Sequence, residues 1–201
     1  MSLLVGACAS VFSLSATVPQ VVRAFRTRSV EGVSWGSAVL SLATFTLWVA
    51  YAFAVGDPVQ IVNNVVAVVL LAALAAVVVR AGGARTPAAA VVGVLVAAAV
   101  SALVLVVFDP LVLALCATTV SSVRMVPQTR LALRRVPLSG LDPTATVLAW
   151  VGMLLWAVYG ALVGDLGVLL CSVIALVMQS AIAWVRLAPA PVTAADYGLA
   201  A

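Results

Sequence analysis

Apolar runs of about twenty residues recur along this chain, each stopped by a short segment that holds the few charges. A helix needs about 20 mainly apolar residues to cross a bilayer. Seven stretches qualify: residues 3–22, 34–55, 59–79, 87–108, 111–126, 144–163 and 167–187. Helix-start chemistry marks several of their boundaries. Asp57-Pro58, Thr86-Pro87, Asp109-Pro110 and Asp142-Pro143 each place a capping side chain before a proline suited to the first turn. At 66% hydrophobic and 8% charged residues, the chain could not cover a soluble globule with polar surface. An all-α integral membrane protein is expected.

The polar residues exclude much chemistry. There is no His, and Cys8, Cys116 and Cys171 lie scattered in apolar runs, so neither a metal site nor a disulfide framework is expected. No nucleophile and base are paired, so no enzyme and no cofactor are expected. All ten basic residues are arginines in short clusters between apolar runs, a pattern unlike a nucleic-acid-binding surface. Arg23, Arg26 and Arg28 follow the first run, Arg80 and Arg85 the third, and Arg130, Arg134 and Arg135 the fifth; Arg186 ends the seventh. Loops around Asp57, Asp109 and Asp165 hold no basic residue. By the positive-inside rule the N-terminus faces outward from the plasma membrane and the C-terminus is cytoplasmic. Residues 188–201, rich in Ala and Pro, read as a disordered cytoplasmic tail.

A shift of 108 positions superimposes the chain on itself. Cys8 falls on Cys116, Ser13 on Ser121, and Val18-Pro19-Gln20 on Val126-Pro127-Gln128. Arg26 falls on Arg134, Gly32 on Gly140, Trp48 on Trp156, Tyr51 on Tyr159, and Val55-Gly56-Asp57 on Val163-Gly164-Asp165. Rare Trp, Tyr, Pro-Gln and Asp do not coincide by chance in an Ala/Val-rich chain. Residues 1–79 and 109–187 are therefore two copies of a three-helix unit, joined by a linker, 80–108, that contains the fourth helix. Three helices fused directly to three would invert the second copy, and one extra helix restores its orientation. Ser101 is the fourth helix's only polar interior residue, which suits a linker facing lipid. Parallel repeats of this kind are a transporter design with the site at the midplane between them.

These features resemble the PQ-loop superfamily and, within it, the SWEET and SemiSWEET sugar transporters. The first copy carries Pro19-Gln20, the run Arg26-Thr27-Arg28-Ser29-Val30-Glu31-Gly32-Val33-Ser34, then Trp48, Tyr51, Gly56-Asp57 and Asn63-Asn64. The second keeps Pro127-Gln128, Trp156, Tyr159 and Gly164-Asp165 but not the Thr-Arg-Ser-Val-Glu-Gly run. The resemblance implies seven helices as two parallel three-helix bundles around a linker helix. It also implies uniport of a sugar by alternating access, with Pro19, Gln20, Pro127 and Gln128 at hinges.

Candidate site residues follow from residue chemistry and from this resemblance. Pro19 and Pro127 alone among the nine prolines sit within helical runs, where proline removes a hydrogen bond and kinks a helix. Trp48 and Trp156 lie about 11–12 Å inside their runs at ~1.5 Å per residue, deeper than an interfacial belt. A flat ring there suits stacking on the C–H face of a sugar, and the family's matching residues clamp the sugar. Asn64 and Ser172 each lie 16 residues after a Trp; the resemblance makes Asn64 a hydroxyl ligand, while a plain reading makes it an interhelical glue. Thr17, whose repeat mate is Met125, is a weaker lining candidate, and Asn63 ranks below Asn64. Tyr51, Asp57, Tyr159 and Asp165 crowd the outer mouth. In the family such residues close an extracellular gate, often with a basic residue two before the Asp, where this chain has Val55 and Val163. Both aspartates suit helix caps equally well. Arg124 either snorkels to headgroups or faces an inner vestibule, where it would favour an anion.

The expected partners are a mono- or disaccharide and the lipid bilayer, with homo-oligomer formation left open and no nucleic acid. The rival expectations are a PQ-loop transporter of an amino acid or organic anion, driven or not by protons, and a membrane receptor or assembly factor that does not transport.

Overall fold

A computed structural model describes residues 1–27, 35–80, 88–107, 109–134 and 142–187. Its described elements are seven helices: α1 (Ser2–Thr27), α2 (Trp35–Val55), α3 (Pro58–Arg80), α4 (Ala88–Val107), α5 (Pro110–Leu133), α6 (Pro143–Val163) and α7 (Leu166–Leu187). Five of them, α2, α3, α5, α6 and α7, contain stretches long and apolar enough to cross a membrane, and α1 contributes a shorter apolar stretch, Ser2–Val18. The 28–34 motif run, Thr86-Pro87, Arg135 and the 188–201 tail lie outside the described residues.

Five helices begin and end within one residue of the boundaries read from hydropathy. Two do not. The first and fifth were expected to stop at 22 and 126, yet α1 runs to Thr27 and α5 to Leu133, each passing through its Pro-Gln pair. Hydropathy stops where the apolar band stops, whereas a helix stops where its backbone bonding stops. An internal proline removes only one backbone bond, a loss that helices within a bundle tolerate.

The aspartates start helices as their sequence context indicates. Asp109 Oδ1 accepts from the Leu111 N–H at 2.8 Å, and Asp142 Oδ1 accepts from the Ala145 N–H at 2.8 Å. Asp57 and Asp165 do the same for α3 and α7, accepting from Val59 and Val168 at 2.9 Å each. Immediately before these two, Gly56 (φ 70°) and Gly164 (φ 71°) turn left-handed to end α2 and α6. The N–H of Asp57 then closes onto the carbonyl of Ala52 at 3.1 Å, and that of Asp165 onto Gly160 at 2.9 Å. Glycine belongs there because a Cβ in this conformation costs roughly 1–2 kcal/mol.

Within each unit the third helix lies between the other two: α3 packs on both α1 and α2, and α7 on both α5 and α6. The units meet through two equivalent seams, α1 against α6 and α2 against α5. The linker α4 lies outside this ring, against α2 and more slightly α5. Its Val91, Val92, Leu95 and Val96 remain exposed, as a lipid-facing helix requires. Leu47, Trp48, Tyr51, Leu113, Ala117, Trp156 and Tyr159 belong to the core where the six repeat helices converge. Asp57 and Asp165, each following the second helix of its unit, lie at the same end of the bundle, bridged by one side chain. The two units are therefore parallel.

Candidate functional site

At the end of the bundle that holds Asp57 and Asp165, the repeats are cross-braced. Tyr51 Oη donates to Asp165 Oδ1 at 2.7 Å, and Tyr159 Oη donates to Asp57 Oδ2 at 2.7 Å. Gln60 Nε2 donates to both Asp57 Oδ2 at 2.7 Å and Asp165 Oδ2 at 2.9 Å. Capping and bracing are thus not alternatives. Each carboxylate starts its own helix and at the same time receives a tyrosine from the other repeat. No ion pair joins the two repeats here among the described residues; the amide of Gln60 supplies the donor instead. Both tyrosines are held by tight seams. A Cβ on Gly6 would come 2.7 Å from Cε2 of Tyr159, and one on Gly167 would come 3.0 Å from Oη of Tyr51.

One turn further into the bundle the indoles repeat this crossed pattern. Trp48 Nε1 donates to Ser121 Oγ at 3.2 Å, and Trp156 Nε1 donates to Ser13 Oγ at 3.0 Å. Each indole also meets its own tyrosine edge to face, with ring centroids 5.6 Å apart for Trp48–Tyr51 and 5.5 Å for Trp156–Tyr159. Clamped at the nitrogen and at the ring, neither Trp can turn freely.

These rings border a cavity of about 140 Å³ between the repeats. That volume holds roughly five waters at ~30 Å³ of liquid each. Helical spacing selects the lining. Gln60, Asn63 and Asn64 stand on one face of α3, and Ser121, Arg124 and Met125 on one face of α5. Val168, Cys171, Ser172 and Ala175 face inward from α7, and Thr44 and Phe45 from α2; Ser13 and Met153 complete the wall. Among the described residues, none of linker α4 lines it.

Three polar atoms shielded from solvent have no hydrogen-bond partner among the described residues: Gln60 Oε1, Asn63 Oδ1 and Arg124 Nε. All three residues line the cavity. Buried polar groups are rarely left so, and these three lie together on one wall. The orientation of Gln60 is decided by chemistry, because only its nitrogen can donate to two carboxylates, which leaves Oε1 as the acceptor.

The structure gathers Trp48, Trp156, Asn64 and Ser172 around this cavity, and Tyr51, Asp57, Tyr159 and Asp165 at the braced end. Thr17 is half-buried in α1 and does not border the cavity, whereas its repeat mate Met125 does. Pro127 and Gln128 are exposed on α5; the side chains of Pro19 and Gln20 lie outside the described residues. Arg124 borders the cavity with its Nε shielded, an arrangement in keeping with the vestibule placement. Asn63 borders the cavity as fully as Asn64. Gln60, Ser13 and Ser121 were not singled out by sequence, although signals existed. Asp57-Pro58-Val59-Gln60 has the spacing of a capping box, and the two serines coincide at the repeat offset.

The fold and site together define a membrane bundle of two parallel three-helix units around a shared polar cavity. Residues 1–61, which take in α1, α2 and the first turn of α3, match the family model of the PQ loop repeat. The fold is shared with a solved structure: the chain superimposes on the 3.7 Å resolution structure of a eukaryotic SWEET transporter with a TM-score of 0.74. That likeness covers 92% of this chain and 94% of the other at 15% sequence identity. No match is found among curated protein sequences.

Proposed function

We propose that the protein is a facilitative transporter that moves a sugar-sized hydroxylated solute across the plasma membrane by alternating access. The observation that carries this reading is the cavity between the repeats, walled by paired indoles and supplied with two unclaimed carbonyl oxygens. Indole faces suit the C–H surface of a sugar ring, and free carbonyl oxygens suit its hydroxyl donors. The crossed Tyr–Asp pairs and Gln60 close one end, assigned here to the outside, so that solute leaves or enters there only when the repeats part. Pro19 and Pro127, within the helices that form the α1–α6 and α2–α5 seams, let the opposite halves swing. Among the described residues the cavity wall carries no carboxylate, which favours uniport over coupling to protons, since relays depend on ionisable groups within the span.

Sugar counterflow into proteoliposomes of the purified chain tests this reading. Trp48→Ala, Trp156→Ala and Asn64→Ala should each nearly abolish uptake at near-normal membrane expression. Wild-type rates in all three would remove the proposed site. A pH step across the vesicle should add no accumulation, and concentrative uptake abolished by a protonophore would replace uniport with proton coupling.

A further inference from the structure

Arg124 is the one charged side chain among the described residues that line the cavity, and among those residues no carboxylate pairs with it. Its position is set by α5. Ser121, one turn earlier, is tied to Trp48 across the repeats, and this turns the 121–124–125 face inward while Val123 stays exposed on the outer surface. An arginine placed within a bilayer span is costly and is found where it meets a partner or a water-filled cavity. Here the partner is not part of the wall. The same wall offers two carbonyl oxygens without donors, Gln60 Oε1 and Asn63 Oδ1. A guest that satisfies all three atoms must present donors to the two oxygens and an acceptor to the guanidinium, whose charge favours an anionic one.

We infer that the transported solute is a singly charged sugar acid, its carboxylate on Arg124 and its hydroxyls on Gln60 and Asn63. This rests on the proposed transport cavity and narrows its substrate class. One guanidinium offsets one carboxylate, so the loaded cavity is neutral; a phosphate ester would leave its second charge uncompensated. Guanidinium also matches carboxylate geometry with two parallel N–H bonds.

The test uses the full chain in nanodiscs for binding and in proteoliposomes for flux. Binding of glucuronate, glucose and glucose 6-phosphate is followed by indole fluorescence, to which Trp48 and Trp156 contribute. Glucuronate should bind tightest. Arg124→Gln should weaken glucuronate at least tenfold and glucose far less, and Arg124→Lys should restore part of the loss. A merely structural arginine would shift both ligands alike, and that result overturns the inference, as does glucose binding more tightly than glucuronate in the wild type. Tighter binding of glucose 6-phosphate than of glucuronate overturns the single-carboxylate assignment.

Flux adds an independent reading. Uniport of a monoanion carries charge, so an inside-positive potential of ~100 mV should concentrate glucuronate roughly 50-fold, from ~2.3 kcal/mol per charge. Accumulation indifferent to potential overturns uniport of the anion. Arg124-dependent binding with no flux of any solute sinks the transporter reading and leaves the anion site standing. Flux of glucose with no Arg124-dependent anion binding does the reverse.

Discussion

Replacing Tyr51 and Tyr159 by Phe removes two hydroxyls that each donate to a carboxylate of the opposite repeat at 2.7 Å. The rings, packed edge to face on Trp48 and Trp156, stay in place. Hydrogen bonds to charged acceptors are worth about 1.5–3 kcal/mol net. Neutral side-chain bonds between helices in a bilayer average about 0.6 kcal/mol. The Tyr–Asp bonds therefore outweigh the two Trp–Ser bonds in holding this end shut. At ~1.4 kcal/mol per factor of ten, one lost hydroxyl raises the open fraction roughly 10- to 150-fold. The double variant should exceed either single one but fall short of their product, because Gln60 bonds both carboxylates and can shift between them. The reporter is native. Cys171 lines the cavity, so with Cys8 and Cys116 changed to Ala it should react with a membrane-impermeant maleimide, added on the Asp57/Asp165 side, only through an open end. The labelling rate should rise at least tenfold in Tyr159→Phe and further in the double variant. Ser121→Ala, which removes one Trp–Ser bond, should raise it by only about threefold. An unchanged rate in the double variant would refute the argument that these bonds close this end.

Gln60→Leu removes the donor shared by the two aspartates and one unclaimed acceptor of the cavity, so it should both speed Cys171 labelling and weaken solute binding. Faster labelling with unaltered binding would detach Gln60 from the solute. Pro19→Ala or Pro127→Ala should slow exchange more than it weakens equilibrium binding, and a binding loss as large as the rate loss would show that these prolines shape the cavity instead. Gly164→Ala forces a Cβ into the left-handed conformation at a cost of about 1–2 kcal/mol. It should lower the thermal midpoint of the detergent-solubilised protein, and an unchanged midpoint would contradict the turn assigned to 164.

The number of helices, their starts and the duplication were all written in one dimension. Hydropathy is local, a capping Asp lies beside the helix that it starts, and a repeat is found by comparing the chain with itself. The paired Trp and the Tyr/Asp set were legible for the same reason, because each kept its residue type at the 108-residue offset. What escaped depends on side chains from different helices meeting. Nothing near Gln60 says that its amide will reach Asp165, 105 positions away, because its own repeat mate is Val168 and the symmetry argument passes over it. Ser13 and Ser121 were visible as matched positions, but their bonds to Trp156 and Trp48 exist only because the units pack with the first helix of one against the second helix of the other. Helix ends differed too, since α1 and α5 outlast their apolar runs. Arg124 shows the division most plainly. Sequence placed a cation near the end of an apolar run and left it a choice between headgroups and an inner vestibule. The rotation of α5, set by Ser121 on Trp48, turned that cation into the cavity, because a helix has one face to give and packing decides where it points.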